Sequence, residues 1–161
     1  MIEKLKIRLF KKEDADKVSS LVIKTLKETN SKDYSNEYIE ENISYMTSTN
    51  IIQKASWTHY YVVEVENEIV GCGAIGPYYD KLDESSLFMI FVLPEYQGKG
   101  IGRLIIDTLE KDEYFIRSKR IEIPSSITAC DFYIKMGYSF KNGKKEIDDE
   151  QLYRLEKKRQ L

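Results

Sequence analysis

The chain has 161 residues, 42% hydrophobic and 32% charged, enough for one domain with a sizeable core and an ordinary globular mix. Its 25 Lys and Arg stand against 27 Asp and Glu, so no basic field speaks for nucleic acid, and no apolar run approaches a membrane span. One histidine (His59) and two distant cysteines (Cys72 and Cys130) leave no metal cluster and no Cys-x-x-Cys; with no signal peptide evident, a reduced, cytoplasmic protein is expected.

Residues 4–10 read as a first strand, with Leu5, Ile7 and Leu9 on one face and Lys4, Lys6 and Arg8 on the other. Residues 11–14 begin a helix, acidic at its start, and Ala15, Val18, Leu21, Val22, Thr25 and Leu26 carry it to about Glu28. Ser35 is placed to cap a second helix whose inner face is Ile39, Ile43 and Met46. Residues 47–50 read as a break, followed by a short unassigned segment at 51–56. Residues 60–65 and 69–75 form a hairpin turning at 66–68, with Gly71, Gly73 and Gly76 weakening its second strand or marking bulges. An apolar run at 87–93 is a buried strand, stopped by Pro94. Ile101, Leu104, Ile105, Thr108 and Leu109 then share one helix face. A short strand at 119–123 ends at Pro124, and residues 127–136 are helical with Gly137 as cap. Strands at 138–140 and 152–155 close the chain. The order predicts a mixed α/β sheet covered by about four helices in a single domain, residues 1–161.

The chemistry gathers between the strand at 87–93 and the helix from Ile101. Gln97-Gly98-Lys99-Gly100-Ile101-Gly102 holds three of the eight glycines and opens a helix N-terminus, whose first N–H groups have no partner of their own. That is a device for binding anions, with Gln97, Lys99 and Arg103 adding donors. The plain alternative is a tight turn, but three glycines in five residues exceed what a turn needs. A P-loop is excluded because no Gly-Lys-Ser or Gly-Lys-Thr occurs, and the dinucleotide pattern fails from both Gly98 and Gly100. What remains is Gln-x-x-Gly-x-Gly at Gln97, Gly100 and Gly102, approached through Pro94-Glu95-Tyr96.

This resembles the acetyl-CoA pyrophosphate loop of the GNAT superfamily of N-acetyltransferases. Ala129, Phe132, Tyr133, Lys135, Gly137 and Tyr138 match that family's second signature, Ala-x-x-Phe-Tyr-x-Lys-x-Gly-Phe/Tyr. The resemblance implies a mostly antiparallel sheet splayed at the acetyl-CoA site. It implies a cofactor wall of Ile90, Phe91 and Val92, the loop Gln97, Gly98, Lys99, Gly100, Ile101, Gly102 and Arg103, and Ser126, Ala129 and Tyr133. Counting back from Gln97, the backbone N–H of Ile90 would polarise the thioester and Val92 would pair with the pantetheine arm. Many members carry Asn where this chain has Ser126, which reaches less far. Tyr133 would protonate the departing thiolate; its plain alternative is a half-buried packing residue. No metal is implied.

The base is the open point. The family's glutamate position holds Ser86, so Glu84 or Glu122 would act, or a chain of water; either carboxylate can equally be an exposed charge without a role. An aromatic pocket of Tyr34, Tyr38, Tyr45, Trp57, Tyr60, Tyr78 and Tyr79, with Glu37, Glu40, Glu41, Asp80, Asp83 and Glu84 nearby, would suit a cationic amine. The function expected is acetyl transfer from acetyl-CoA to a primary amine of a small molecule, peptide or protein. No nucleic acid and no membrane are involved, and a homodimer is possible. A non-catalytic CoA-binding sensor is the alternative. A toxin acetylating charged tRNA fits poorly with the slightly acidic net charge of −2.

Overall fold

In the computed structural model, which describes residues 5–161, seven strands form one sheet in the order β1-β2-β3-β4-β5-β7-β6. β1 (Leu5–Leu9) pairs antiparallel with β2 (His59–Val65); the start expected at Lys4 lies outside the described residues. α1 (Ala15–Glu28) follows a 3-10 turn at Lys12–Asp14 and buries Val18, Leu21, Val22 and Leu26, the face its spacing predicts. α2 (Asn36–Ser44) begins at Ser35, whose hydroxyl accepts from the Tyr38 N–H at 3.1 Å.

The residues read as a break and the unassigned segment after them form a third helix, α3 (Ser48–Ala55). The Ser/Thr/Asn cluster that suggested a loop is its N-cap: Thr47 Oγ1 accepts from the Asn50 N–H at 3.1 Å. A four-residue helix, α5 (Glu113–Ile116), was also not foreseen, and α6 (Cys130–Lys135) is shorter than the expected 127–136. Six α-helices, rather than about four, therefore flank the sheet among the described residues.

β2 and β3 (Glu68–Pro77) form the hairpin, turning on Glu66 and Asn67, both with positive φ, as a two-residue turn between twisted strands requires. The β3 glycines do not interrupt the strand, but register shifts fall beside Gly71 and at Gly73, as the bulge reading expects. The glycines clear room above it: a Cβ on Gly73 would stand 2.5 Å from Ile105 Cγ2 of α4 (Ile101–Leu109). α4 buries Ile101, Ile105, Ile106 and Leu109 on that close approach.

β4 (Glu84–Val92) runs antiparallel to β3 on one side and parallel to β5 (Arg120–Ser125) on the other. The parallel pairing lasts only from Glu84↔Arg120 to Ser86↔Glu122. Beyond it β5 keeps its partner β7 (Tyr153–Lys158) as far as Ser125↔Tyr153, while β4 keeps β3, so the two strands part. Pro124 lies inside β5 rather than ending it. It has no N–H to give, which is tolerated on a strand whose neighbour has left. β6 (Ser139–Phe140) closes the far edge against β7.

Candidate active site

The parting of β4 and β5 opens a cleft of about 680 Å³. Its floor is the open edge of β4 from Leu87 to Val92, its far wall is β5 and α6, and its mouth is the loop before α4. β4 carries a bulge here. Phe88 pairs with Ala74 and Phe91 with Cys72, so Met89 and Ile90 together face Gly73 without register partners. Met89 takes φ 56°, and its carbonyl accepts from the Cys72 thiol at 3.1 Å.

At the mouth, Gly98 and Gly100 hold positive φ, 75° and 85°, and Gly100 is the N-cap of α4. No atom stands within 4 Å of where a Cβ of either would project. The loop therefore meets the cleft as bare backbone, with the first N–H groups of α4 aimed out of the helix. Gln97 Nε2 donates to the Val92 carbonyl at 3.0 Å and to Thr29 Oγ1 at 3.2 Å, tying the loop to the end of β4 and to α1. Gly102 meets α6 closely, since a Cβ there would lie 3.0 Å from Phe132 Cζ.

The structure brings most of the expected cofactor residues together. Ile90, Phe91, Val92, Gln97, Gly98, Gly100, Gly102, Arg103, Ser126, Ala129 and Tyr133 all line the cleft. Two do not. The Ile101 side chain is core, 1% exposed, leaving only its backbone at the loop. Lys99 points outward, its ammonium 5.8 Å from the Tyr96 ring centroid. Ser126 Oγ accepts from the Ala129 N–H at 3.1 Å, so its hydroxyl can still donate into the cleft.

Tyr133 is 5% exposed and reaches the cleft, and its hydroxyl has no hydrogen-bond partner among the described residues. Burial, with Cys72 nearby as a smaller cause, raises its pKa well above the ordinary tyrosine value. A phenol so placed is a proton donor at every physiological pH.

The carboxylates are elsewhere. Glu122 is 2% exposed and sits among Arg120, Lys141 and Arg154. Glu84 is held by Arg120 at 2.9 Å, and the same guanidinium takes Glu156 at 2.8 Å. Neither Glu84 nor Glu122 lines the cleft. They clamp the first and the last of the rungs that pair β4 with β5, Glu84 at one and Glu122 at the other, so neither is the free carboxylate beside the splay that the sequence suggested. The alternation along β5 put Glu122 correctly on the strand but could not reveal three cations from β5, β7 and the segment after β6.

The expected cationic-amine pocket is likewise corrected. Of its aromatics, only Tyr34 and Tyr38 line the cleft. They stack at 4.2 Å with their hydroxyls spent on backbone: Tyr34 accepts from the Ile127 N–H and donates to the Gln151 carbonyl, and Tyr38 donates to the Glu150 carbonyl. Burial pushes the Tyr34 phenol up to about 12. Tyr45 and Tyr79 lie on the surface, Tyr60 is core, and Tyr78 lies beside Arg120 and Lys141. Trp57 sits behind the cleft against Phe88, ring centroids 5.4 Å apart. None of Glu37, Glu40, Glu41, Asp80, Asp83 or Glu84 lines the cleft. The charged side chains that do are Arg103 and Lys54. Lys54 escaped the sequence because it lies in the unassigned segment 51–56; the capping pattern Thr47-x-x-Asn50 is the signal that would have found its helix.

Among the described residues no group of three or more His, Cys, Asp or Glu is arranged to hold a metal, and no helix is long and apolar enough to cross a membrane.

A family model described as an acetyltransferase (GNAT) domain matches residues 56–140. An uncharacterised N-acetyltransferase of Chlorobaculum tepidum is 33% identical over 92 residues, 56% of this chain and 52% of that protein. The ribosomal protein bS18-alanine N-acetyltransferase of Haemophilus influenzae is 37% identical over 60 residues, 36% of this chain and 41% of its own. The chain thus spans about half the length of the curated relatives it matches. Among solved structures, the PaiA N-acetyltransferase of Thermoplasma acidophilum in complex with coenzyme A superposes with a TM-score of 0.80 at 20% identity, covering 96% of this chain and 99% of that one. A GCN5-related N-acetyltransferase of Rhodopseudomonas palustris gives 0.79 at 20% identity, covering 98% of both chains. These two likenesses carry the fold.

Proposed function

Because the chain belongs to the GNAT acetyltransferase family, we propose that it is an acetyl-CoA-dependent N-acetyltransferase, moving the acetyl group to a primary amine of a small molecule, peptide or protein. The observation that carries this reading is one cleft bordered by three things: the unpaired edge of β4, the bare N-terminus of α4 and the unpartnered Tyr133 hydroxyl. The residues fit CoA. The loop from Gly98 to Arg103 offers backbone N–H groups and one guanidinium to the pyrophosphate, and the open edge of β4 offers a ladder to the amide-bearing pantetheine arm.

Acetyl-CoA supplies the activated acyl group, as a thioester. The amide of Ile90, in the bulge and outside the ladder register, is the donor for the charge that develops on the acyl oxygen. As the amine nitrogen bonds to the carbonyl carbon, the C–S bond breaks, its electrons go to sulfur, and Tyr133 gives the thiolate a proton. The amine arrives as an ammonium and gives one proton to bulk water before it attacks; the second, lost as the amide forms, returns through water to Tyr133, which leaves the enzyme unchanged. With Glu84 and Glu122 clamped by Arg120, water takes the place of a dedicated carboxylate base. The reaction suits the reducing cytoplasm, where the buried Cys72 and Cys130 remain thiols.

The test is thiol release from acetyl-CoA against a panel of amines. Amine-dependent release is expected. Tight CoA binding without release for any amine would make the chain a CoA sensor instead.

A further inference from the structure

Resting on the transferase reading, the inference concerns the acceptor, and it starts from Lys54. Its ammonium lies 4.7 Å from the Phe88 ring centroid and 5.3 Å from that of Trp57. Among the described residues it has no ion pair and no hydrogen bond, although it lines the cleft. Phe88 stands four residues before Val92 on β4, so Lys54 marks the end of the cleft away from the phosphate loop. The second cleft cation, Arg103, belongs to that loop. Among the described residues the lining thus carries two positive charges and no carboxylate.

A half-buried ammonium compensated only by aromatic faces is short of a counter-ion, and burial lowers its pKa with no carboxylate offsetting it. A polyamine would meet like charge there. The missing base points the same way. An amine that must lose its proton to water does so far more readily at the α-amine of a peptide, pKa about 7.7–8.0, than at a lysine-type amine, about 10.4.

We propose that the acceptor is an α-amine with a carboxylate beside it, and that Lys54 grips that carboxylate while the amine faces the open edge of β4. A peptide N-terminus beginning with an acidic residue and a free amino acid share this chemistry.

The experiment compares the wild type with Lys54→Arg, Lys54→Gln and Lys54→Glu, with melting temperatures to confirm folding. Acceptors are short peptides starting with Glu, Ala or Lys, free glutamate and alanine, and a linear polyamine. The wild type should favour the acid-bearing acceptors at least tenfold in kcat/KM, with peptide against free amino acid separating the two sources. Lys54→Gln should erase that preference through KM, Lys54→Arg should keep it, and Lys54→Glu should turn it towards the polyamine. Trp57, the single tryptophan, gives a readout independent of turnover. Its fluorescence should respond saturably to acid-bearing amines in the wild type and not in Lys54→Gln. The proposal is overturned by a wild type that prefers the polyamine, by a preference unchanged in Lys54→Gln, or by a Trp57 signal indifferent to acid-bearing amines. Running the fluorescence titration with and without CoA separates the readings, since loss of CoA binding would sink the transferase assignment while Trp57 still decides the Lys54 site.

Discussion

Gln97 Nε2 donates to the Val92 carbonyl across 3.0 Å, joining the first residue of the glycine loop to the last residue of β4. This bond sets where the loop stands relative to the open strand edge, and Thr29 at 3.2 Å fixes the same amide from α1. Gln97 is exposed, so water can replace it in part and the net bond is worth about 0.5–1.5 kcal/mol. Gln97→Ala should therefore lower the melting temperature by a few degrees and weaken CoA binding by up to about 10-fold, measured by calorimetry. Wild-type affinity would mean that the loop holds its position without this tie.

Gly100 caps α4 with φ 85°, a region costing an L-residue roughly 1–2 kcal/mol and a β-branched one more. A side chain there would meet no protein atom within 4 Å, so the harm is to the backbone and to whatever the loop binds, and not to the core. Gly100→Val should lose at least tenfold in CoA affinity while its circular dichroism stays native. An unchanged dissociation constant would put the phosphates somewhere other than this loop.

Tyr133→Phe keeps the ring and removes only the cleft-facing hydroxyl. General acid catalysis is typically worth roughly 10²–10⁴-fold, and a thiolate leaves tolerably without help, so kcat should fall by about 10²-fold with CoA affinity retained. The raised pKa gives a second check. A phenol whose pKa lies above the ordinary value of about 10 keeps its proton below that pH, so Tyr133 should produce no alkaline fall in kcat up to about pH 10. A near-normal kcat in the variant would reduce Tyr133 to packing.

Gly73 lies under α4 because Ile105 leaves no room for a Cβ. The contact of 2.5 Å is with the Cγ2 methyl, which sits on a stiff β-branched side chain. Gly73→Ala should cost about 1–3 kcal/mol through overpacking, read as a fall of several degrees in melting temperature. Ile105→Leu, which removes that methyl, should recover part of the loss. A Gly73→Ala protein as stable as the wild type would show that α4 can lift without penalty.

What the sequence by itself made legible is the glycine loop before α4 and, through its resemblance to the GNAT signature, the tyrosine of α6. Both are local devices: a strand, a stop at Pro94, glycines and a helix face for one, and a helix ending at Gly137 for the other. Each pattern lies in residues a few places apart, so spacing displays it, while the chemistry proposed for it rests on the family resemblance. What only the tertiary structure decided is the charge of the cleft. Whether Glu84 and Glu122 are free depends on Arg120, Lys141 and Arg154, which reach them across strands and from up to 36 positions away. Lys54 enters the cleft only because α3 packs beside Phe88, a contact between residues 34 apart in the chain. A carboxylate is a base, a clamp or a bystander according to the cations folded against it. Those neighbours are chosen by strand order and helix docking, which local pattern does not encode.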